Sequence, residues 1–226
     1  HAEVELGARP QLVGGEAQPW EGVRDALMRP GAPPDLDAVR LTQATALLPL
    51  SESARRYAAP SLVAGVDWLE AVSALMHRIH EEFEFQPGAT TVSTSVDEVL
   101  RERRGVCQDF AHLMIACLRA LGLAARYVSG YLETVPPPGK ARLVGADVSH
   151  AWLSVFVPEI GWVDLDPTND QFVNNRYVTV AWGRDYTDVP PLKGVIYTEG
   201  KSQKLKVTVD VATIPDDDPA LVSVAS

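Results

Sequence analysis

The chain has 226 residues, with 46% hydrophobic and 22% charged residues, so it can bury a sizeable core of ordinary globular type. Its formal net charge is -10, which argues against nucleic acid as a partner, because phosphate binding needs a positive surface. No run approaches the 18 apolar residues of a membrane-spanning helix, and no charged segment followed by an apolar one opens the chain as a signal peptide would.

In chain order, residues 3–6 alternate like the end of a strand, and the first residue is His1. A piece of a longer protein is therefore expected. Residues 7–49 are rich in Gly and Pro and read as loops with a short helical turn or two. Residues 51–59 suggest a short helix opened by Ser51 or Ser53 and stopped before Pro60. Asp67 caps a longer helix to about Phe85, with Glu70 at the capping-box spacing. Its apolar stripe is Leu69, Val72, Leu75 or Met76, Ile79 and Phe83. His77 and His80 stand three apart on it; with no third ligand in view, they read as surface residues rather than a metal site.

Ser95 or Thr94 caps a helix over Val96 to Arg103, which ends by Gly105. Cys107 then opens a helix that is apolar nearly all round from Leu113 to Leu118 and stops at Gly122. Beyond it the period changes. Strands are expected over Ala125 to Leu132, Val148 to Val157, Trp162 to Leu165, Tyr177 to Trp182, Gly194 to Thr198 and Leu205 to Val211. Helices followed by a run of antiparallel strands indicate an α+β fold. No nucleotide-binding glycine motif is present, so no cofactor is expected.

Two cysteines occur, Cys107 and Cys117, ten residues apart in one expected helix. That separation is about 15 Å, too far for a disulfide. With no disulfide framework, the cytoplasm is the expected compartment. Cys107 sits at a helix N-terminus, where free N–H groups and the helix dipole favour a thiolate and can cradle an oxyanion. Cys117 lies mid-helix on the apolar stripe and has no such advantage.

A cysteine nucleophile needs a base. In strand 148–157, His150 shares a face with Trp152, Ser154 and Phe156, opposite a purely apolar face. Asp166 closes the next strand and can accept the proton on the far ring nitrogen of His150. Asp164 has the same parity and competes for that role. A tight hairpin centred on 159–160 sets Leu153 opposite Asp166, so a bulge or looser turn is needed to bring Asp166 to His150. Asp166 also precedes Pro167, a turn-starting pair. His112, five residues after Cys107, does not converge with it on a helix, and zinc is not expected.

The run from Gly105 to Leu132, GVCQDFAHLMIACLRALGLAARYVSGYL, resembles the core of the transglutaminase-like superfamily, in particular its bacterial cysteine protease branch. Residues Ser149 to Asn169, SHAWLSVFVPEIGWVDLDPTN, and Gly183 to Tyr197 carry further motifs of that group. The resemblance implies a papain-like core of N-terminal helices on an antiparallel sheet. It implies Cys107 as nucleophile, His150 as base and Asp166 as orienter of a catalytic triad acting on a protein or peptide substrate. The reaction implied is amide or peptide hydrolysis through a thioester, or transamidation by the same triad; a noncatalytic binding module on the fold is the third reading.

Gln108 and Asp109 are expected to cap the helix or line the site. Trp152 is expected to shield the relay or touch substrate, and Tyr131 and Asp170 to line the cleft. The expected organisation is an N-terminal segment over 1–64, a catalytic core over 65–211 and a tail over 212–226. The resemblance implies that residues 1–6 are the last strand of a β-rich region that precedes the core in this branch.

Overall fold

A computed structural model describes residues 18–27, 35–134, 149–190, 209 and 211. The strands expected over 3–6, 194–198 and most of 205–211 lie outside these residues.

The first elements among the described residues are two short helices, α1 (Trp20–Ala26) and α2 (Leu36–Arg40), the latter capped by Asp35. Next is α3 (Glu52–Ala58), whose Ser51 hydroxyl accepts the Ala54 N–H. Helix α4 (Trp68–Glu82) starts at Asp67, whose carboxylate accepts the N–H groups of Leu69 and of Gln18. The second bond ties α1 to the start of α4. It is reinforced by Trp20 N–H to Val66 O and Trp68 N–H to Gln18 O. Trp68, Ala71, Val72, Leu75, Met76 and Ile79 are buried, whereas Leu69 is only partly so. The apolar stripe is thus rotated by one residue at its start, because Trp68 takes the inward place. Trp20 and Val23 of α1 and Tyr57 of α3 join this same core, so the first helices pack as structure and not as linker.

Strand β1 (Glu84–Phe85) pairs in parallel with β2 (Arg104–Gly105). Between them α5 (Val96–Glu102) is capped by Ser95. It ends earlier than expected because Arg103 is left-handed, with φ 54°. A non-glycine residue there costs energy. Arg103 offsets it by lying over the rings of Tyr57 and Phe83 and pairing with Glu82 at 2.6 Å.

Helix α6 (Cys107–Ala120) is the central helix, buried from Asp109 to Arg119. It lies against β3 (Ala125–Leu132) and β4 (Ser149–Val157). The sheet is completed by β5 (Gly161–Asp166), β6 (Gln171–Phe172) and β7 (Tyr177–Gly183), in the order β6-β5-β4-β3-β7. Each pairing in this sheet is antiparallel. Helices first and an antiparallel sheet afterwards make this an α+β fold of papain-like and transglutaminase-like architecture. Ala151, Leu153, Val155 and Val157 bury one face of β4 in the main core, as their alternation requires.

The β4–β5 register differs by one residue from a hairpin centred on 159–160. Leu153 pairs with Leu165, so the series 150, 152, 154 shares a face with 162, 164, 166. The turn achieves this with Glu159 at φ 70° and Gly161 at φ 95°. The β-bulge lies instead between β3 and β7, at Ser129 and Gly130. Gly130 pairs with His150 across β3 and β4. A Cβ there would overlap the Val178 carbonyl oxygen and lie 2.5 Å from the Trp152 ring. Only glycine lets the two strands and the indole meet.

Candidate active site

Cys107 is the first residue of α6 and is half-buried. The first amides of a helix have no carbonyl partner within it, so they face whatever lies before the helix start. That start is held from behind. The Asp109 carboxylate accepts the Val106 N–H at 2.8 Å and the Thr90 hydroxyl at 2.6 Å. Asp109 is buried, and burial pushes its pKa up, against the lowering effect of the Thr90 and Val106 bonds. Its work is at the cap, facing away from solvent. A Cβ on Gly105 would sit 2.8 Å from the Asp109 side chain, which explains a glycine two residues before the cysteine.

Cys117 contrasts with this. It is fully buried mid-helix, and burial pushes its thiol up to about 12. Both cysteines are free thiols.

His150 stands near the start of β4, with its side chain largely buried. Its Nε2 meets Asp166 Oδ2 at 2.7 Å. The two are diagonal neighbours on one sheet face, since Asp166 falls one step beyond the Leu153–Leu165 pair. Burial alone would lower the imidazole pKa. The hydrogen bond and the charge of Asp166, joined by the influence of Cys107, outweigh it and hold His150 up at about 9. With Nε2 engaged by Asp166, Nδ1 is the ring nitrogen that remains.

Asp166 has no exposed surface and gathers five contacts. Oδ2 accepts from His150, from the Tyr177 hydroxyl at 2.6 Å and from Asn169 Nδ2 at 2.6 Å. Oδ1 accepts the N–H groups of Thr168 at 2.9 Å and Asn169 at 3.3 Å. Burial raises its pKa, but the bonds to His150, Tyr177 and Asn169 and the charge of His150 prevail and keep it below the usual carboxylate range. One Asp166 oxygen caps the turn after β5 and the other meets the imidazole.

Asp164 does not compete. It accepts from the Ser154 hydroxyl and from Trp152 Nε1 at 3.3 Å. Burial pushes its pKa up, against the bonds to Ser154 and Trp152 and the charge of Arg126.

The remaining expected residues divide. Trp152 is fully buried, with its ring centroid 6.1 Å from His150, so it walls the imidazole and has no surface to offer a substrate. Gln108 is half-buried and its amide reaches the Val92 carbonyl at 3.4 Å. Tyr131 pairs with Ser149, one step from the Gly130–His150 pair. Asp170, at φ 49°, turns to α4 and meets His77 Nδ1 at 2.7 Å. His80 Nδ1 meets the Thr168 carbonyl at 2.9 Å. The two surface histidines thus tether the turn that carries Asp166. Among the described residues, no group of three metal-binding side chains converges. His112 is a satisfied core histidine: its Nε2 accepts the Tyr186 N–H, and burial pushes it down to about 4.

Sequence reasoning missed Asn169, Gln171 and Tyr177. Tyr177 read only as the start of a strand. Its pairing with Asp166 depends on the strand order, which brings β7 beside β3.

Residues 56–167 match the transglutaminase-like superfamily, a span that runs from α3 to the residue after Asp166. The chain belongs to that superfamily. An uncharacterized protein of Mycobacterium tuberculosis is 50% identical over 204 residues, covering 88% of this chain and 63% of that protein. The chain thus spans less than two thirds of such relatives. A protein-glutamine gamma-glutamyltransferase of Pseudomonas aeruginosa is 39% identical over 101 residues, covering 43% of this chain and 15% of that protein. Among solved structures, a candidate cysteine protease from Cytophaga hutchinsonii aligns with a TM-score of 0.60 at 28% identity, covering 72% of this chain and 52% of that one.

Proposed function

We propose that this chain is a cysteine-dependent amide or peptide hydrolase, with Cys107 as nucleophile, His150 as acid and base, and Asp166 as the orienter of His150. Membership in the superfamily supports thiol-dependent hydrolase or transferase chemistry as the general class. The observation that carries the assignment to residues is His150 itself: it bonds Asp166 at 2.7 Å and is drawn upward in pKa by Cys107.

In this reading the Cys107 sulfur attacks the substrate carbonyl carbon, and the Cys107 N–H at the very start of α6 serves the developing oxyanion. The proton on His150 Nδ1 passes to the departing nitrogen as the C–N bond breaks, leaving a thioester. His150 then takes a proton from water. The water oxygen joins the acyl carbon, the C–S bond breaks, and the thiolate and imidazolium are restored. Asp166 remains ionised throughout, because every contact on it is a donor.

An amine in place of water gives transamidation. The likeness to the Pseudomonas gamma-glutamyltransferase favours that second reading. A mass-spectrometric screen of peptides with and without a primary amine, using Cys107→Ala as control, separates them. Cleavage that depends on Cys107, with no amine incorporated, is expected. Amine incorporation at glutamine selects the second reading, and turnover by the Cys107→Ala protein contradicts both.

A further inference from the structure

We propose that Tyr177 is a positioning residue that sets the basicity of His150 through Asp166. The inference rests on the reading of Cys107, His150 and Asp166 as a relay.

Tyr177 is buried on β7, where its ring meets Trp152 edge-on, 5.3 Å between centroids, and packs with Val128. For packing, a phenylalanine would serve. The hydroxyl is spent otherwise: it donates to Asp166 Oδ2 at 2.6 Å and accepts from Gln171 Nε2 at 2.6 Å. Because an ionised carboxylate only accepts, the phenol proton points to Asp166. Burial and the nearby Asp166 charge keep Tyr177 protonated by pushing its pKa up. The chain of donors therefore runs one way, from Gln171 to Tyr177 to Asp166, and meets the His150 proton coming from the other side.

Asp166 does not need this bond to be satisfied. Without Tyr177 it still holds His150, the Asn169 amide and two backbone N–H groups. What the phenol changes is the charge left on the oxygen that faces His150. A donor on Oδ2 draws off part of that charge, which weakens the hold on the imidazolium and keeps the carboxylate from taking its proton. The titratable groups acting on His150 are Asp166 from β5 and Cys107 from α6; those acting on Asp166 are His150 from β4 and Tyr177 from β7. Asp164 does not compete, since it is turned to Ser154 and Trp152.

The test is the titration of the His150 imidazole followed by NMR, assigned with His150→Gln. Tyr177→Phe should raise the midpoint by roughly half a unit or more. Gln171→Leu, which weakens the phenol as a donor, should raise it by less. Fluorotyrosine at position 177, a stronger donor of nearly the same size, should lower it. The last two variants keep the buried ring and carry the test if Tyr177→Phe does not fold. A folded Tyr177→Phe with the wild-type midpoint overturns the proposal, as does fluorotyrosine moving His150 in the same direction as phenylalanine. The relay itself fails by a different sign, undiminished turnover in Cys107→Ala, which leaves this titration series unaffected.

Discussion

Two aspartates on one strand, Asp164 and Asp166, share a sheet face two residues apart and have opposite fates. Asp164 is raised in pKa by burial against Ser154, Trp152 and Arg126. Asp166 is buried more completely, yet its pKa is lowered by His150, Tyr177 and Asn169. Burial raises any carboxylate pKa, so the partners decide the outcome. Asp164 faces a hydroxyl, an indole and, through Ser154, the flank of Arg126. Asp166 faces the imidazole of His150. The same residue type at the same parity is raised in one place and lowered in the other, according to its partners.

The largest effects should fall on the Asp166 side. Cys107→Ala should abolish turnover, and Asp166→Asn should lower kcat/KM by about 10³- to 10⁴-fold, because the imidazole loses its orienting charge. Asp164→Asn should stay within about threefold of the parent. Measuring the three variants on one peptide sharpens the contrast, and a large loss in Asp164→Asn would break it.

Stability comes next. Gly130→Ala forces a methyl into the Val178 carbonyl and the Trp152 ring, and should cost about 2 kcal/mol or more in chemical denaturation. The same substitution should also displace His150, its cross-strand partner.

The pH dependence should separate the two carboxylates by sign. His150 is raised, so its contribution to stability is full below the unfolded value near 6.5 and is lost as pH climbs through about 9. Asp166 is lowered, so its contribution is full above the unfolded carboxylate range and is lost as pH falls through its depressed value. Asp164 is raised, so ionising it costs stability as pH rises above the unfolded range, and Asp164→Asn should flatten that part of the curve. Denaturant unfolding from pH 3 to 10 checks all three slopes. The alkaline limb of kcat/KM should fall near pH 9 and move down in Asp166→Asn but not in Asp164→Asn.

The smallest effect is expected at the tether. His77 is exposed, and an exposed ion pair contributes little. His77→Ala should leave kcat/KM within about twofold. A larger loss would mean that α4 positions Asp166 and not merely its turn.

Much of this was legible in the sequence because it follows from local rules. Cys107 opens its helix after Gly105 and Val106, Cys117 sits on an apolar stripe, and period-two alternation sets His150 opposite the apolar face of β4 and Asp166 at the parity of Asp164. The rest was hidden where geometry is not local. The hairpin register turned on the left-handed Glu159, which no simple turn rule assigns to glutamate. The strand β6 is two residues long and carries no periodicity. Tyr177 meets Asp166 only because β7 lies beside β3, and Asp170 faces His77 only because α4 passes the turn after β5. Arg103 ends α5 in a conformation usually left to glycine, held by the rings of Tyr57 in α3 and of Phe83 just after α4.

The most direct test of the account is to trap the acyl-enzyme. Quenching the protein in acid during turnover of a peptide from the screen, then mapping the adduct by tandem mass spectrometry, should place the acyl group on Cys107 in a thioester. The adduct should be absent in Cys107→Ala and strongly reduced in His150→Ala. An acyl group on any other residue, or turnover without Cys107, would contradict it.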